Sequence, residues 1–316
     1  MSLLNKTYFQ TEKAAFRHLE GILWPDGPVC PHCGTIDRAG RLEGRRSKPS
    51  KKHPEGVEQH GLWKCYACRK QFTVKVNTVF ESAHIPLHKC LQAVYLMSAS
   101  KKGISAHQLH RTLEITYKSA WFLCHRIREA MRPKEFTPMG GSGKMIEVDE
   151  TLHGFIKGAN WKTEREAGQF RRFVLTLVER GGSARSFHVE GTTVGQLVPI
   201  IRANINRESY LLTDQASWYK SIGKEFSQHG SVDHTRKEYA RGEISTNTVE
   251  GYFSIFKRGM KGVYQHCSEK HLHRYLSEFD FRYSHRVALG IDDALRAQKA
   301  MQGVVGKRLT YRAADH

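Results

Sequence analysis

Three acidic residues define the chemistry this chain is equipped for. Asp149 closes the strand-like run Met145-Ile146-Glu147-Val148, and Asp214 follows the apolar run Tyr210-Leu211-Leu212. Glu250 comes after 35 intervening residues, in the first turn of a helix-like segment. Two strand ends and one helix can bring three carboxylates around a pair of hard divalent cations, Mg²⁺ or Mn²⁺. Two such ions, about 3.5 to 4 Å apart, activate an oxygen nucleophile, neutralise charge on a phosphorane and stabilise the leaving oxygen. That is the chemistry of phosphodiester hydrolysis, and a freed 3′-hydroxyl can attack a second duplex at the same centre.

Each acid also has a simpler explanation when taken singly. Asn247-Thr248-Val249-Glu250 has the form of a capping box, in which Glu250 only satisfies a backbone donor. Asp214 fits a turn after a strand, and Asp149 an exposed strand end. Glu147 and Glu150 flank Asp149 and are expected on the face opposite it. Glu250 and Lys257 lie seven residues apart and so share a helical face two turns from each other. Val249, Phe253, Phe256 and Met260 form a neighbouring face that would dock this helix on a sheet. Asp233 and His234 precede the last acid, and His234 is an auxiliary candidate.

A second chemistry lies nearer the amino terminus. Cys30-Pro31-His32-Cys33 and Cys65-Tyr66-Ala67-Cys68 are two Cys-x-x-Cys knuckles with 31 residues between them. Four thiolates in that pattern match the corners of a tetrahedron around one structural Zn²⁺. Neither knuckle sits in the strand-to-helix context of a thioredoxin motif, so metal is expected over redox exchange. His32, His53 and His60 could substitute as ligands, although four cysteines already close the site. Cys90, Cys124 and Cys267 fall in helix-like segments and read as buried free thiols.

The elements that must position these groups can be read in order. Thr11 to Ile22 forms an amphipathic helix capped by Thr11. Leu62-Trp63-Lys64 and Gln71-Phe72-Thr73-Val74 supply strands to a zinc ribbon with a basic loop at its tip. Helices follow at Pro86 to Met97, Ala106 to Leu113 and Tyr117 to Met131, the last capped by Thr116. The final pair has the form of a helix-turn-helix, whose second helix enters the major groove. There Lys118, Arg126 and Arg128, off the apolar face, are candidates for phosphate or guanine contacts.

After a linker containing Gly140-Gly141-Ser142-Gly143 the chain becomes strand-rich. Strands are expected at Met145 to Asp149, Phe173 to Val178, Ser186 to Val189, before Asp214 and at Val232-Asp233-His234, with a helix from Val194 to Ile205. Further helices begin at Asn247 and near Tyr264. Three strands, a helix, a strand and a later acid-bearing helix is the order of an RNase H-like fold with a mixed sheet. The fold class is therefore α+β and multidomain: zinc ribbon, helix-turn-helix-like module, RNase H-like domain.

The expected divisions are an N-terminal helix and lead-in (1–28), ribbon (29–82), helical module (83–136), linker (137–144), RNase H-like domain (145–290) and C-terminal tail (291–316). The charged run between Gly154 and Arg172 reads as a mobile loop, and the last residues of the tail as frayed.

Composition narrows the partner. The 316-residue chain has 50 Lys and Arg against 31 Asp and Glu, a net charge of +19. Such an excess points to a polyanion, with nucleic acid ahead of a membrane surface. A hydrophobic share of 39% argues for folded domains rather than disorder. No apolar run reaches membrane-spanning length and the start lacks a signal-peptide core, so a cytosolic protein is expected.

Several of these motifs carry a family resemblance. They are the Leu23-Trp24-Pro25-Asp26-Gly27 lead into the first knuckle, Val148-Asp149-Glu150-Thr151, Thr213-Asp214, and Thr246-Asn247-Thr248-Val249-Glu250-Gly251 with Lys257-Arg258-Gly259. Together they resemble bacterial insertion-sequence transposases, in the ISXO2-like branch with an amino-terminal zinc ribbon and a DDE catalytic domain. The resemblance runs from about Phe16 to the neighbourhood of Arg312. It implies that Asp149, Asp214 and Glu250 coordinate two Mg²⁺ or Mn²⁺ ions and that Lys257, beside Arg258, contacts the end of the element. Some relatives place Asn at the third position, and Asn247 stands nearby. Glu250 is the better ligand, since an anionic oxygen binds Mg²⁺ more strongly than an amide.

The implied function is a DNA transposase acting on double-stranded DNA, both inverted repeats and target, as a homo-oligomer in the nucleoid. A transposase-derived regulator without catalysis and a structure-specific RNase H-like nuclease are the alternatives.

Overall fold

The computed structural model describes residues 3–51, 53–155, 171–233, 236, 238 and 240–310, without the side chains of Phe155, Arg171, Ser217 and Trp218. The charged run after Gly154, His234 and the last six residues lie outside the described residues. The chain forms two compact units. One comprises Met1–Ser100, Ile104–Met131 and Asp293–His316; the other, Lys101–Gly103 and Arg132–Asp292. Among the described residues no helix is long and apolar enough to cross a membrane.

In the first unit, helix α1 (Glu12–Leu23) begins at Thr11, whose hydroxyl accepts the Ala14 amide at 3.4 Å. The ribbon is an antiparallel sheet of β1 (Ala39–Arg41), β2 (Trp63–Cys65) and β3 (Gln71–Phe72). Strand β1 was not expected, because Ala39-Gly40-Arg41 offers no apolar alternation. The Trp24 ring meets Trp63 and Phe72 edge-on, with centroids 6.2 and 5.8 Å away. The buried Glu20 carboxylate ties α1 to the ribbon by accepting from Arg41 at 2.5 Å and from the Trp63 indole at 2.9 Å.

Helix α2 (Leu87–Ala99) starts where the Glu12 carboxylate takes the amides of Leu87 and His88 at 2.8 and 3.1 Å. Helices α3 (Ala106–Leu113) and α4 (Tyr117–Met131) occupy the expected spans. Ser105 and Thr116 cap them, and Glu114 makes the turn between them in the left-handed region, at φ 51°. The residues after Gly290, read as a tail, instead contribute a helix, Asp293–Gln302, to this same unit. Ala297, Ala300, Met301 and Val304 are buried there, and Arg296 donates to the Ser98 carbonyl at 3.1 Å.

The second unit is built on a five-stranded mixed sheet in the order β6-β5-β4-β7-β8. Its strands are β4 (Met145–Phe155), β5 (Arg171–Glu179), β6 (Ala184–Val189), β7 (Tyr210–Asp214) and β8 (Gln228–Val232). The first three pair antiparallel; β7 joins β4, and β8 joins β7, in parallel. Strand β8 ends where a strand was expected to begin. Its residues Gln228-His229-Gly230-Ser231 carry little apolar signal because an edge strand needs little.

Alternation along the strands divides the core in two. Ile146, Val148, Leu175, Leu177 and Leu211 pack with helices α5 (Val194–Asn204) and α6 (Ser217–Gly223). Val174, Val178 and Ala184 pack with α7 (Asn247–Gly259) and α8 (Glu269–Ser284), on the opposite side. Each fully buried Val, Leu or Phe contributes about 1.5–3 kcal/mol to this arrangement. A short hairpin, β9 (Ala240–Arg241) and β10 (Ile244–Ser245), leads into α7.

Candidate active site

The parallel pairing of β4 and β7 decides where the two aspartates lie. Met145 faces Tyr210, Ile146 faces Leu211 and Glu147 faces Leu212, so each β4 residue faces the one 65 positions later. The same 65 positions separate Asp149 from Asp214. The pairing ends at Glu147 and Leu212, two residues before each aspartate, so both aspartates follow directly from the paired stretch on neighbouring strands. Both are half-buried. Asp149 Oδ1 accepts the Glu150 amide at 2.7 Å, and Asp214 Oδ1 accepts the Ala216 amide at 3.1 Å, which fixes each side chain against its own backbone.

Glu250 reaches this region through its helix. The Glu147 carboxylate is fully buried and accepts the amides of Thr248 and Val249 at 2.8 and 2.9 Å. It thereby satisfies the free amides that open α7. Glu147 shares the face of Asp149, since residues two apart on a strand point the same way. The expectation that it would lie opposite was wrong, and only Glu150 does. The first turn of α7 is therefore seated on β4 within two residues of Asp149. The capping-box explanation of Glu250 falls with the same observation. Glu147 does the capping, whereas Glu250 is exposed and accepts the Thr246 hydroxyl at 3.1 Å. Asn247, also exposed, is the first residue of the helix.

Glu150, on the other face, was not expected to matter. It accepts the Tyr219 hydroxyl of α6 at 2.9 Å, linking the segment after Asp214 to the strand of Asp149. Burial, and then the charges of Asp149 and Asp214, push its carboxyl up to about 7. Both aspartates thus lie within electrostatic reach of Glu150.

The cationic candidates divide by exposure. Lys257 and Arg258 are exposed on α7, with the Lys257 ammonium 5.9 Å from the Phe253 ring. His153, four residues beyond Asp149, is pushed down to about 4 by burial, then by the nearby Arg172 and Lys257 charges. In α4, Lys118 is exposed, but Arg126 and Arg128 are buried. Arg126 donates to the Glu81 carbonyl at 3.0 Å and lies over the Phe122 ring, so it packs the module. The helical wheel missed this because α4 is buried almost all round from Leu123 onward. His234, the auxiliary candidate, lies outside the described residues.

The four cysteines form a clearer centre. Their sulfurs all lie within 4.8 Å of one another, with Cys30 to Cys68 and Cys33 to Cys65 both at 3.7 Å. A tetrahedron with Zn–S bonds of about 2.3 Å has edges of about 3.8 Å. The donor set therefore fits one structural Zn²⁺ with no position left for substrate. Among the described residues this is the one group of three or more such side chains placed to hold a metal ion, and Asp149, Asp214 and Glu250 do not form one. Of the other thiols, Cys90 and Cys124 are buried and Cys267 is only half-buried.

Known proteins share both regions. Residues 10–71 match the transposase zinc-ribbon domain, and residues 141–284 match the ISXO2-like transposase domain. No curated protein matches the chain. Among solved structures, a similarity exists to a chain of the cryo-EM simian T-cell lymphotropic virus intasome in complex with PP2A regulatory subunit B56 gamma. It has 15% identity, 54% coverage of this chain, 67% of that one and a TM-score of 0.29, too loose a likeness to bear on fold or activity. The two domain matches, in the order in which ribbon and mixed sheet occur, make the chain a member of the IS1595 family of ISXO2-like transposases.

Proposed function

We propose that this transposase binds the inverted ends of its insertion sequence, then cleaves and joins phosphodiesters with two Mg²⁺ or Mn²⁺ ions held by Asp149, Asp214 and Glu250. One observation carries the reading: the parallel β4–β7 pairing, which ends two residues before Asp149 and Asp214, beside the start of α7 held by Glu147. When bound, the ions supply a nucleophilic oxygen of lowered pKa and neutralise the phosphorane. Asp149 and Asp214 hold them from the strands, and Glu250 approaches from the helix. Lys257, two turns further along α7, contacts a backbone phosphate, with Arg258 beside it.

In the same reading the ribbon (29–82) and the helical module (83–136) bind the ends, while residues 145–290 catalyse. Recognition helices present their first residues to base edges, which favours the exposed Tyr117 and Lys118 over the buried arginines. The net charge of +19 supports duplex DNA as the partner. Work at two ends calls for a dimer or larger assembly, acting in the cytoplasm at the nucleoid.

The test uses full-length protein and duplexes carrying the short inverted repeats that flank its gene. Asp149→Ala or Asp214→Ala should abolish Mg²⁺-dependent end cleavage and leave end binding intact; cleavage that persists rejects the assignment. Wild-type protein that cuts without strand transfer would be a nuclease, and one that binds without cutting a regulator.

A further inference from the structure

We infer that Glu147 and Arg180 form a positioning pair that sets Glu250 relative to Asp149, an inference that rests on Glu250 being a metal ligand. The Glu147 side chain has 0% exposure, a costly place for a carboxylate unless its lone pairs are filled. They are filled by four donors. Oε1 accepts Arg180 Nε at 2.6 Å and the Thr248 hydroxyl at 2.8 Å; Oε2 accepts the Thr248 and Val249 amides. Besides a contact from Nη1 to the Met145 sulfur at 3.5 Å, Arg180 donates to the chain entering the same helix: the Glu243 carbonyl at 2.6 Å, and the Ser245 carbonyl and hydroxyl at 3.0 and 2.7 Å. Residues 243 to 249 are thus gripped on both sides of the helix start.

No side chain of the helix itself does this. Thr246, at the N-cap position, makes no capping bond, so the cap comes from the sheet. Stability alone is a poor explanation, since buried ion pairs can often be replaced by apolar residues without loss. What the pair adds is direction. Two amides converging on Oε2, and an arginine that bridges Oε1 to residues 243 and 245, fix both the rotation of α7 about its axis and its height along β4. Glu147 stands two residues before Asp149, so that geometry is transmitted to the gap between Asp149 and Glu250. Glu147 and Arg180 are positioning residues and touch no reacting atom.

The test is Mn²⁺ binding to the full-length, zinc-loaded protein without DNA, followed by electron paramagnetic resonance of free Mn²⁺. Glu250→Gln sets the reference loss. Glu147→Gln should raise the Mn²⁺ dissociation constant about tenfold, with zinc content and near-ultraviolet circular dichroism unchanged. Placed in the Glu250→Gln background, it should add less than about twofold, because the two act through one group. A wild-type constant in Glu147→Gln, with Glu250→Gln weakened, overturns the inference and leaves Glu250 a ligand. Equal losses from Glu147→Gln in both backgrounds also overturn it, as a general destabilisation. A wild-type constant in Glu250→Gln removes the underlying reading instead. If Glu147→Gln does not fold, Thr248→Val, which deletes one bond to Glu147, takes its place in the same cycle, with an expected loss of about threefold.

Discussion

The ribbon and the proposed carboxylate site are built by opposite routes. In the ribbon, the ligands of two short knuckles converge on one point, and the sulfurs already have the edge lengths of a zinc tetrahedron. The site is closed, and the ion is part of what holds the small sheet together. At the proposed carboxylate site the acids come from two strands and a helix, and their supports are protein: a parallel register, a buried glutamate and an arginine. A soft, closed site can organise its own fold; a hard, open one has to be built by a fold that stands without it. Metal removal should therefore do different things to the two regions.

The largest effect tests that contrast directly. Stripping zinc with a chelator, or Cys65→Ser, should unfold the ribbon, since structural zinc contributes roughly 10–16 kcal/mol in small zinc domains. Trp24 and Trp63 report it by fluorescence. Asp214→Asn, in contrast, should leave the thermal transition of the second unit in place while end cleavage is lost; unfolding there would break the comparison.

A smaller effect probes the scaffold behind the acids. Asp280 of α8 is half-buried, accepting the Tyr252 hydroxyl of α7 at 2.6 Å and the Ser186 hydroxyl and amide at 2.7 and 2.8 Å. Burial pushes it from 3.8 up to about 6 despite these bonds. The folded chain therefore holds this proton more tightly than the unfolded chain. Stability from this group is greatest below the unfolded value, falls as pH rises toward 6 and levels above it. The total is about 3 kcal/mol at 1.36 kcal/mol per pH unit. Urea melts across pH 4 to 7 should show the slope, and Asp280→Asn should remove it.

Tyr219→Phe deletes the bond to Glu150 and should cost about 1–3 kcal/mol, with the Glu150 carboxyl moving further up from about 7. Carboxyl carbon NMR reads the shift, and an unmoved Glu150 would deny the link between β4 and the segment after Asp214. The smallest effect is at Lys257. Lys257→Ala should let His153 rise from about 4, as seen by imidazole NMR, with no measurable change in melting temperature.

The contrast between the regions also governs how much of each was legible in the sequence. Zinc ligands announce themselves by spacing, because two turns can deliver all four. Asp149 and Asp214 were legible because each follows an apolar run, although β4 continues past Asp149 to Phe155 where a strand end was expected. The support was not. Glu147 looked like a flanking charge, since nothing local tells that a helix 100 residues later will present amides to it. Arg126 and Arg128 read as exposed because a wheel drawn for one apolar face cannot anticipate a helix enclosed on several. Glu250 and Asn247 competed as ligand and cap until the structure supplied a cap from elsewhere.

The helix Asp293–Gln302 has a consequence for the order of events in the cell. Its apolar residues, the Arg296 bond to the Ser98 carbonyl and the Val79 amide bonded to the Val304 carbonyl complete the unit that also contains the ribbon and the α3–α4 pair. Chains fold from the amino terminus as they leave the ribosome. Here the first unit must wait, its core open, while more than 160 residues of the second are synthesised. The nascent polypeptide consequently acquires its finished amino-terminal unit only after residues 293 to 304 emerge, by which time the whole carboxylate-bearing sheet has already been made.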